Sequence, residues 1–285
     1  MTDHIANGEQ LVELDDVQLC DETFGDPADP AILFVDGAAA SMLWWDAELC
    51  ERLARADRFV IRYDNRDTGR STSYPPGRPG YTYTDLAGDA LAILDALGVE
   101  SAHLVCRSMA GGIGLILGVD HPDRVASLTF VSTSTGADGL PPPSGELGRN
   151  TPTQPDLTDA AAAVDYVVAY AMALAGGSPY FDEVATRALV ERDMARTRNI
   201  ASTLTNHDAM TFDGPSGGFG DIKAPTLVVH GDHDPFLPVA HGQALRDAIP
   251  GAELLILPGA GHDLPQPLWD VFVPALIQHT GSGRR

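Results

Sequence analysis

The chain has 285 residues, 44% of them hydrophobic and 20% charged, which excludes disordered and fibrous classes and allows one large α/β core with an inserted segment. Its formal net charge of −22 repels phosphate backbones and anionic lipid surfaces, so neither nucleic acid nor a membrane is an expected partner. We read the acidity as a solvated surface, with attraction of a cationic substrate as the alternative. Cys20, Cys50 and Cys106 are too scattered for a disulfide framework and form no C-x-x-C pair. No stretch approaches about 18 uninterrupted apolar residues, and the first eight residues lack a basic region followed by an apolar one. These features predict a cytoplasmic protein with no metal and no cofactor, and leave the oligomeric state open.

Short runs rich in Val, Ile, Leu and Phe, each ending near Gly, Asp or Ser, occur at 31–35, 59–63, 103–106, 128–132, 226–230 and 253–257. Such runs read as buried parallel strands. Helix-like segments lie between them at 84–97, 113–120 and 240–248, so strands and helices alternate and predict a doubly wound α/β sheet with right-handed crossovers. The alternation stops after Ser134. It resumes at Ile222, after a Gly-, Pro-, Ser- and Thr-rich stretch at 136–155 and two helical segments at 159–175 and 182–204. The expected organisation is a core of residues 1–135 and 221–285 with a helical cap insertion at 136–220, placed over the carboxyl ends of the strands.

The segment His103-Leu-Val-Cys-Arg-Ser-Met-Ala-Gly-Gly places Ser108 in a tight turn between a strand and a helix. A serine there projects its hydroxyl above the sheet, provided that the residues two positions to either side are small. Those residues are Cys106 and Ala110, where the G-x-S-x-G pattern has glycine; the alternative is a serine that only caps the helix. Downstream, His230-Gly-Asp-His-Asp-Pro places Asp234 after a strand, and Pro258-Gly-Ala-Gly-His places His262 after the next. A serine hydroxyl needs an imidazole to take its proton, and the imidazole needs a carboxylate to fix its tautomer. Ser108, Asp234 and His262 supply these types in order, with Asp232 as the reserve acid and His230, His233 and His241 as histidines that could be confused with the base. The oxyanion donors are expected from the backbone N–H of Met109 and of Ala38, with Gly37 as the neighbour that could replace Ala38. The Asp36 carboxylate would oppose a developing oxyanion unless it points away or is paired.

With these residues placed, the chain resembles the α/β-hydrolase superfamily, and more narrowly the aclacinomycin methylesterase group of polyketide-tailoring hydrolases. The resemblance is carried by Phe24-Gly-Asp-Pro-Ala-Asp-Pro-Ala-Ile-Leu-Phe-Val, Ile61-Arg-Tyr-Asp-Asn-Arg-Asp-Thr-Gly-Arg-Ser, Ser108-Met-Ala-Gly, His230-Gly-Asp-His-Asp-Pro and Gly259-Ala-Gly-His. It implies an α/β-hydrolase fold with a mostly parallel sheet, and a serine esterase that releases methanol from a bulky, aromatic small-molecule methyl ester of the anthracycline kind. Asp64, Arg66, Asp67 and Gly69 are expected to shape a loop rather than act in catalysis. Trp44, Trp45, Met109, Tyr166, Tyr170 and Phe236 are candidates for stacking on a flat ring system. The competing readings are a non-hydrolytic tailoring enzyme, such as a cyclase or decarboxylase, and a noncatalytic ligand-binding protein.

Overall fold

The structure is a computed structural model that describes residues 7–14 and 16–281. Eight strands form one sheet: β1 (Glu9–Leu14), β2 (Val17–Phe24), β3 (Ala31–Val35), β4 (Phe59–Tyr63), β5 (Ala102–Arg107), β6 (Val125–Val131), β7 (Thr226–Gly231) and β8 (Glu253–Leu257). Their spatial order is β1-β2-β4-β3-β5-β6-β7-β8. β2 runs antiparallel to both β1 and β4, and every pair from β4 through β3 to β8 is parallel. Parallel strands are covered on both faces, which is why β3, β4, β5 and β7 are buried at every position.

Helices α1 (Ala47–Ala54) and α9 (Trp269–Gly281) cover one face, where Leu49, Leu53, Phe272 and Leu276 pack against Phe34, Val105 and Val229. Helices α2 (Tyr83–Ala96), α3 (Ala110–Asp120) and α8 (Ala240–Ala248) cover the other, where Leu86, Ile93, Ile113 and Leu245 meet Leu33, Leu104 and Val228. The start of α2 is set by a capping box between Thr82 and Asp85.

Between β6 and β7 lie α4 (Gly145–Asn150), α5 (Ala160–Leu174), α6 (Glu183–Arg196) and α7 (Ile200–Thr203). Asp159 caps α5 by accepting from Ala161 N and Ala162 N, and Gly176 and Gly177, at φ +60° and +73°, turn the chain away beyond it. The helix expected at 182–204 is two helices. Arg198 N–H leaves the helical pattern to donate to Gly69 O at 3.0 Å, and extended Asn199 restarts the helix by accepting from Ser202 N. Strands β1 and β2 and helices α1, α4 and α9 are additions to the elements expected from the sequence.

The carboxyl ends of β3, β5, β7 and β8 all lie on one edge of the sheet. Loops 36–39, 108–109, 232–237 and 258–263 therefore converge there.

Candidate active site

Ser108 stands between β5 and α3 at φ +51°, a left-handed conformation that costs a non-glycine residue about 1–3 kcal/mol. Three hydrogen bonds hold it. Its N–H donates to Val131 O at 2.9 Å, and its carbonyl accepts from Thr133 Oγ1 at 2.7 Å and from Gly111 N at 2.9 Å. The turn has room for Cys106 because the facing helix residue is Gly114: a Cβ there would stand 2.9 Å from both Cys106 Sγ and the Phe130 ring. Burial pushes the Cys106 thiol up to about 12, so it is an inert packing group. Gly111 faces Thr133 in the same way, with 2.1 Å between its notional Cβ and the hydroxyl that anchors Ser108.

His262 Nε2 lies 2.9 Å from Ser108 Oγ, and its Nδ1 lies 2.8 Å from Asp234 Oδ2. A carboxylate only accepts, so Nδ1 carries the proton and Nε2 presents its lone pair to the serine hydroxyl. Asp234 is held in turn: its Oδ1 accepts from Phe236 N at 2.9 Å and Leu237 N at 2.8 Å. The Asp234 side chain is fully buried. Asp232, in contrast, is exposed and its Oδ1 accepts from Gly259 N, which shapes the neighbouring turn.

The other histidines have separate tasks. His230 Nε2 donates to Leu237 O at 2.7 Å, and burial lowers its pKa, so it stays neutral 3.5 Å from Asp234 Oδ2. His241 contacts Ser134 Oγ and Pro141 O, and His233 is exposed.

Loop 36–39 follows β3 and lies against the serine turn, where a Cβ on Gly37 would stand 3.1 Å from Ser108 Cβ. Its amides are divided among distinct acceptors. Gly37 N–H donates to Asp36 Oδ1 at 2.7 Å, and Ala39 N–H donates to His207 Nδ1 at 3.0 Å. Among the described residues, the N–H groups of Ala38 and Met109 donate to no protein acceptor. Gly37 is thus committed elsewhere, and Ala38 is the free donor of the loop.

Asp36 is paired. Arg107, the residue before Ser108, reaches Asp36 Oδ1 with Nε at 2.8 Å and Nη2 at 2.7 Å, while its guanidinium lies over the Trp45 ring at 5.2 Å. Arg107, His207 and Thr133 are site residues that sequence reasoning missed, and His230, named there only as a histidine that could be confused with the base, holds Leu237 O beside Asp234. An intervening arginine in a serine turn was the one available signal, since a cation beside Asp36 is what a buried carboxylate needs.

The aromatic candidates separate. Trp45 is 1% exposed, lies against Phe34 in a tilted ring contact at 4.4 Å, and belongs to the core rather than to any pocket. Trp44 donates from Nε1 to Asp193 Oδ2 at 2.9 Å, Tyr166 and Tyr170 stack on each other at 6.2 Å, and Phe236 sets its ring at right angles to His262 at 5.2 Å. Met109 is partly buried against the core. Asp64, Asp67 and Gly69 shape their loop: Asp64 accepts from Met42 N and Arg70 N, and a Cβ on Gly69 would overlap the Asp64 carboxylate. No cluster of His, Cys, Asp or Glu among the described residues could hold a metal ion, and no described helix is long and apolar enough to cross a membrane.

A parallel sheet flanked by helices, with a strained serine, a histidine and an aspartate joined at its carboxyl edge, defines a hydrolase class. The chain belongs to the α/β-hydrolase family, whose model, described as alpha/beta hydrolase fold, matches residues 30–265. It is 32% identical to Rhodomycin D methylesterase DauP of Streptomyces sp. (strain C5), over 95% of this chain and 97% of that protein. It is equally 32% identical to Rhodomycin D methylesterase DnrP of Streptomyces peucetius, with the same two coverages. The crystal structure of the enol-lactonase from Burkholderia xenovorans LB400 superimposes with a TM-score of 0.76 at 22% identity, covering 96% of this chain and all of that one, and shares the fold.

Proposed function

We propose that this protein is a serine carboxylic-ester hydrolase, specifically a methylesterase that acts on an anthracycline-like aromatic polyketide. The observation that carries the chemistry is the hydrogen-bonded chain from Ser108 Oγ through His262 to Asp234, at 2.9 and 2.8 Å. The substrate class rests on the two methylesterases that align with nearly the whole chain.

In this reading Ser108 Oγ attacks the ester carbonyl carbon while His262 Nε2 takes the hydroxyl proton. The carbonyl oxygen becomes an oxyanion held by the N–H groups of Met109 and Ala38. Collapse of the adduct breaks the acyl–oxygen bond, and His262 returns its proton to the departing methoxide, releasing methanol. Water then gives a proton to His262 and attacks the acyl-serine, which restores Ser108 and frees the carboxylic acid. Asp234 stabilises the imidazolium in both halves, and pairing with Arg107 keeps Asp36 from opposing the oxyanion.

Residues 136–220 serve in this proposal as a cap on a core of 1–135 and 221–285. Contacts support it: His262 N–H donates to Leu174 O at 3.0 Å, and a Cβ on Gly261 would stand 2.5 Å from Ala175 O, so the end of α5 rests on the loop that carries the base. Tyr166, Tyr170 and Phe236 are the aromatic surfaces offered to a flat ring system. The three free, buried cysteines suit a reducing compartment, and we place the protein in the cytoplasm on that ground.

The test is methanol release from a polyketide methyl ester, with fluorophosphonate labelling of Ser108. Folded Ser108→Ala should lose both. Retained turnover in S108A, or an unlabelled wild type, would refute the assignment; labelling of Ser108 without turnover of any ester would point to the non-hydrolytic alternative.

A further inference from the structure

We infer that His207, from the segment between β6 and β7, is a positioning residue for the oxyanion donor: by fixing Ala39 N–H it holds Ala38 N–H toward the reacting carbonyl. The inference rests on the reading of Ser108 as nucleophile and Ala38 as donor, and adds a residue that lies far from both in sequence.

The loop has three consecutive amides, and left alone any of them could turn into the site. Asp36 Oδ1 captures the first, from Gly37. His207 Nδ1 captures the third, from Ala39, at 3.0 Å. Ala39 sits at φ +58°, a conformation that a residue with a Cβ keeps only when its surroundings insist on it. The bond from His207 is the interaction that does so, and the bend it enforces leaves the middle amide, from Ala38, free.

The imidazole is built for this one arrangement. Nδ1 accepts an amide proton, so Nε2 must carry the ring's own proton, and Nε2 lies 2.9 Å from Arg66 O, which can only accept. His207 is thereby a neutral bridge between two loops of the core. Burial lowers its pKa and favours that neutral form. Its neighbours are stitched to the loop that carries Arg66: Asn206 Nδ2 donates to Asp67 Oδ2 at 2.8 Å, and Ser202 Oγ donates to Tyr74 O at 2.6 Å. The segment supplies a part of the catalytic geometry as well as a cover for it.

Loss of an oxyanion donor costs on the order of 10²–10³ in kcat, and misplacement of a reacting group by about 1 Å costs up to about 10²-fold. Releasing Ala39 should therefore lower kcat by about 10–100-fold and leave KM within about twofold.

Two substitutions divide the bridge. An asparagine amide overlays Nδ1, so His207→Asn keeps an acceptor for Ala39 N–H and gives up Arg66 O. A glutamine amide overlays Nε2, so His207→Gln keeps the donor to Arg66 O and releases Ala39. Rates on the methyl ester are normalised to Ser108 titrated to completion with fluorophosphonate, and the phosphonylation rate constant is measured separately, because the phosphoryl oxygen occupies the same oxyanion site. H207Q should lose about 10–100-fold in both kcat and phosphonylation rate, and H207N should keep both within about threefold. Equal activity in the two variants, or the greater loss in H207N, overturns the inference. Should H207Q fail to fold, H207A, which also removes the acceptor for Ala39 N–H, takes its place: a kcat loss of about tenfold or more beside an H207N within about threefold supports the inference, and anything less overturns it. Failure of the underlying reading looks different, since wild-type Ser108 would then resist labelling.

Discussion

Replacing Arg107 by methionine strips the counterion from a carboxylate that has nowhere to go. Asp36 is 0% exposed, and its Oδ1 takes Gly37 N at 2.7 Å together with Arg107 Nε at 2.8 Å and Nη2 at 2.7 Å, while its Oδ2 has no hydrogen-bond partner. In the variant the Gly37 amide is the single remaining donor. Removing one member of a buried pair costs about 3–5 kcal/mol. At roughly 2–4 °C per kcal/mol that lowers Tm by about 6–20 °C. Burial already raises the Asp36 pKa, and Arg107 is the leading influence that lowers it, so R107M raises it further. A carboxyl with a raised folded-state pKa contributes stability fully present below its unfolded pKa and lost as pH rises through the folded one. The deficit of R107M should therefore widen as pH rises from about 4 to about 8. Asp263, raised by burial and lowered by Arg107, moves the same way. Urea unfolding followed by circular dichroism across that range, on wild type, R107M, D36N and the double variant, measures the effect. D36N/R107M should recover at least half of the loss at about pH 8, because it removes the stranded charge. A loss in R107M below about 1 kcal/mol, or one independent of pH, would refute the reasoning.

Asp234→Asn should reduce kcat by about 10³–10⁴-fold in the methyl ester assay, because an amide cannot impose the His262 tautomer. Asp232→Asn should stay within about threefold of wild type, since its side chain is exposed and serves a turn; a larger effect from D232N would reverse the acid assignment. Gly114→Ala should destabilise the fold by about 1–3 kcal/mol by driving a methyl group into Cys106 and Phe130, and Cys106→Ala introduced with it should restore part of that in denaturant melts.

The parallel strands were legible because burial on both faces demands unbroken apolar runs, as in Ala-Ile-Leu-Phe-Val of β3. Strands β1 and β2 were not, because they lie at the antiparallel edge and mix in Glu9, Glu13, Asp21 and Glu22. Helix α9 carries Pro274 in its interior, which argues against a helix when read alone, and α1 is a short helix with a polar outer face. The residues proposed as nucleophile, acid and base stood out through strand-end context and order, and the structure brings Ser108, Asp234 and His262 into contact. Arg107 left only its place directly before Ser108, and His207 left no trace. Their meaning depends on partners 71 and 168 positions away, and neither local propensity nor a motif encodes a contact of that range.

Where the G-x-S-x-G pattern has glycine before the nucleophile, this chain has Cys106 on the strand, and Gly114 on the facing helix yields the space opposite it. Either site alone would overfill or hollow the contact with Phe130, so each residue is acceptable only in the presence of the other. A side chain at position 114 is therefore tolerated only once position 106 is smaller.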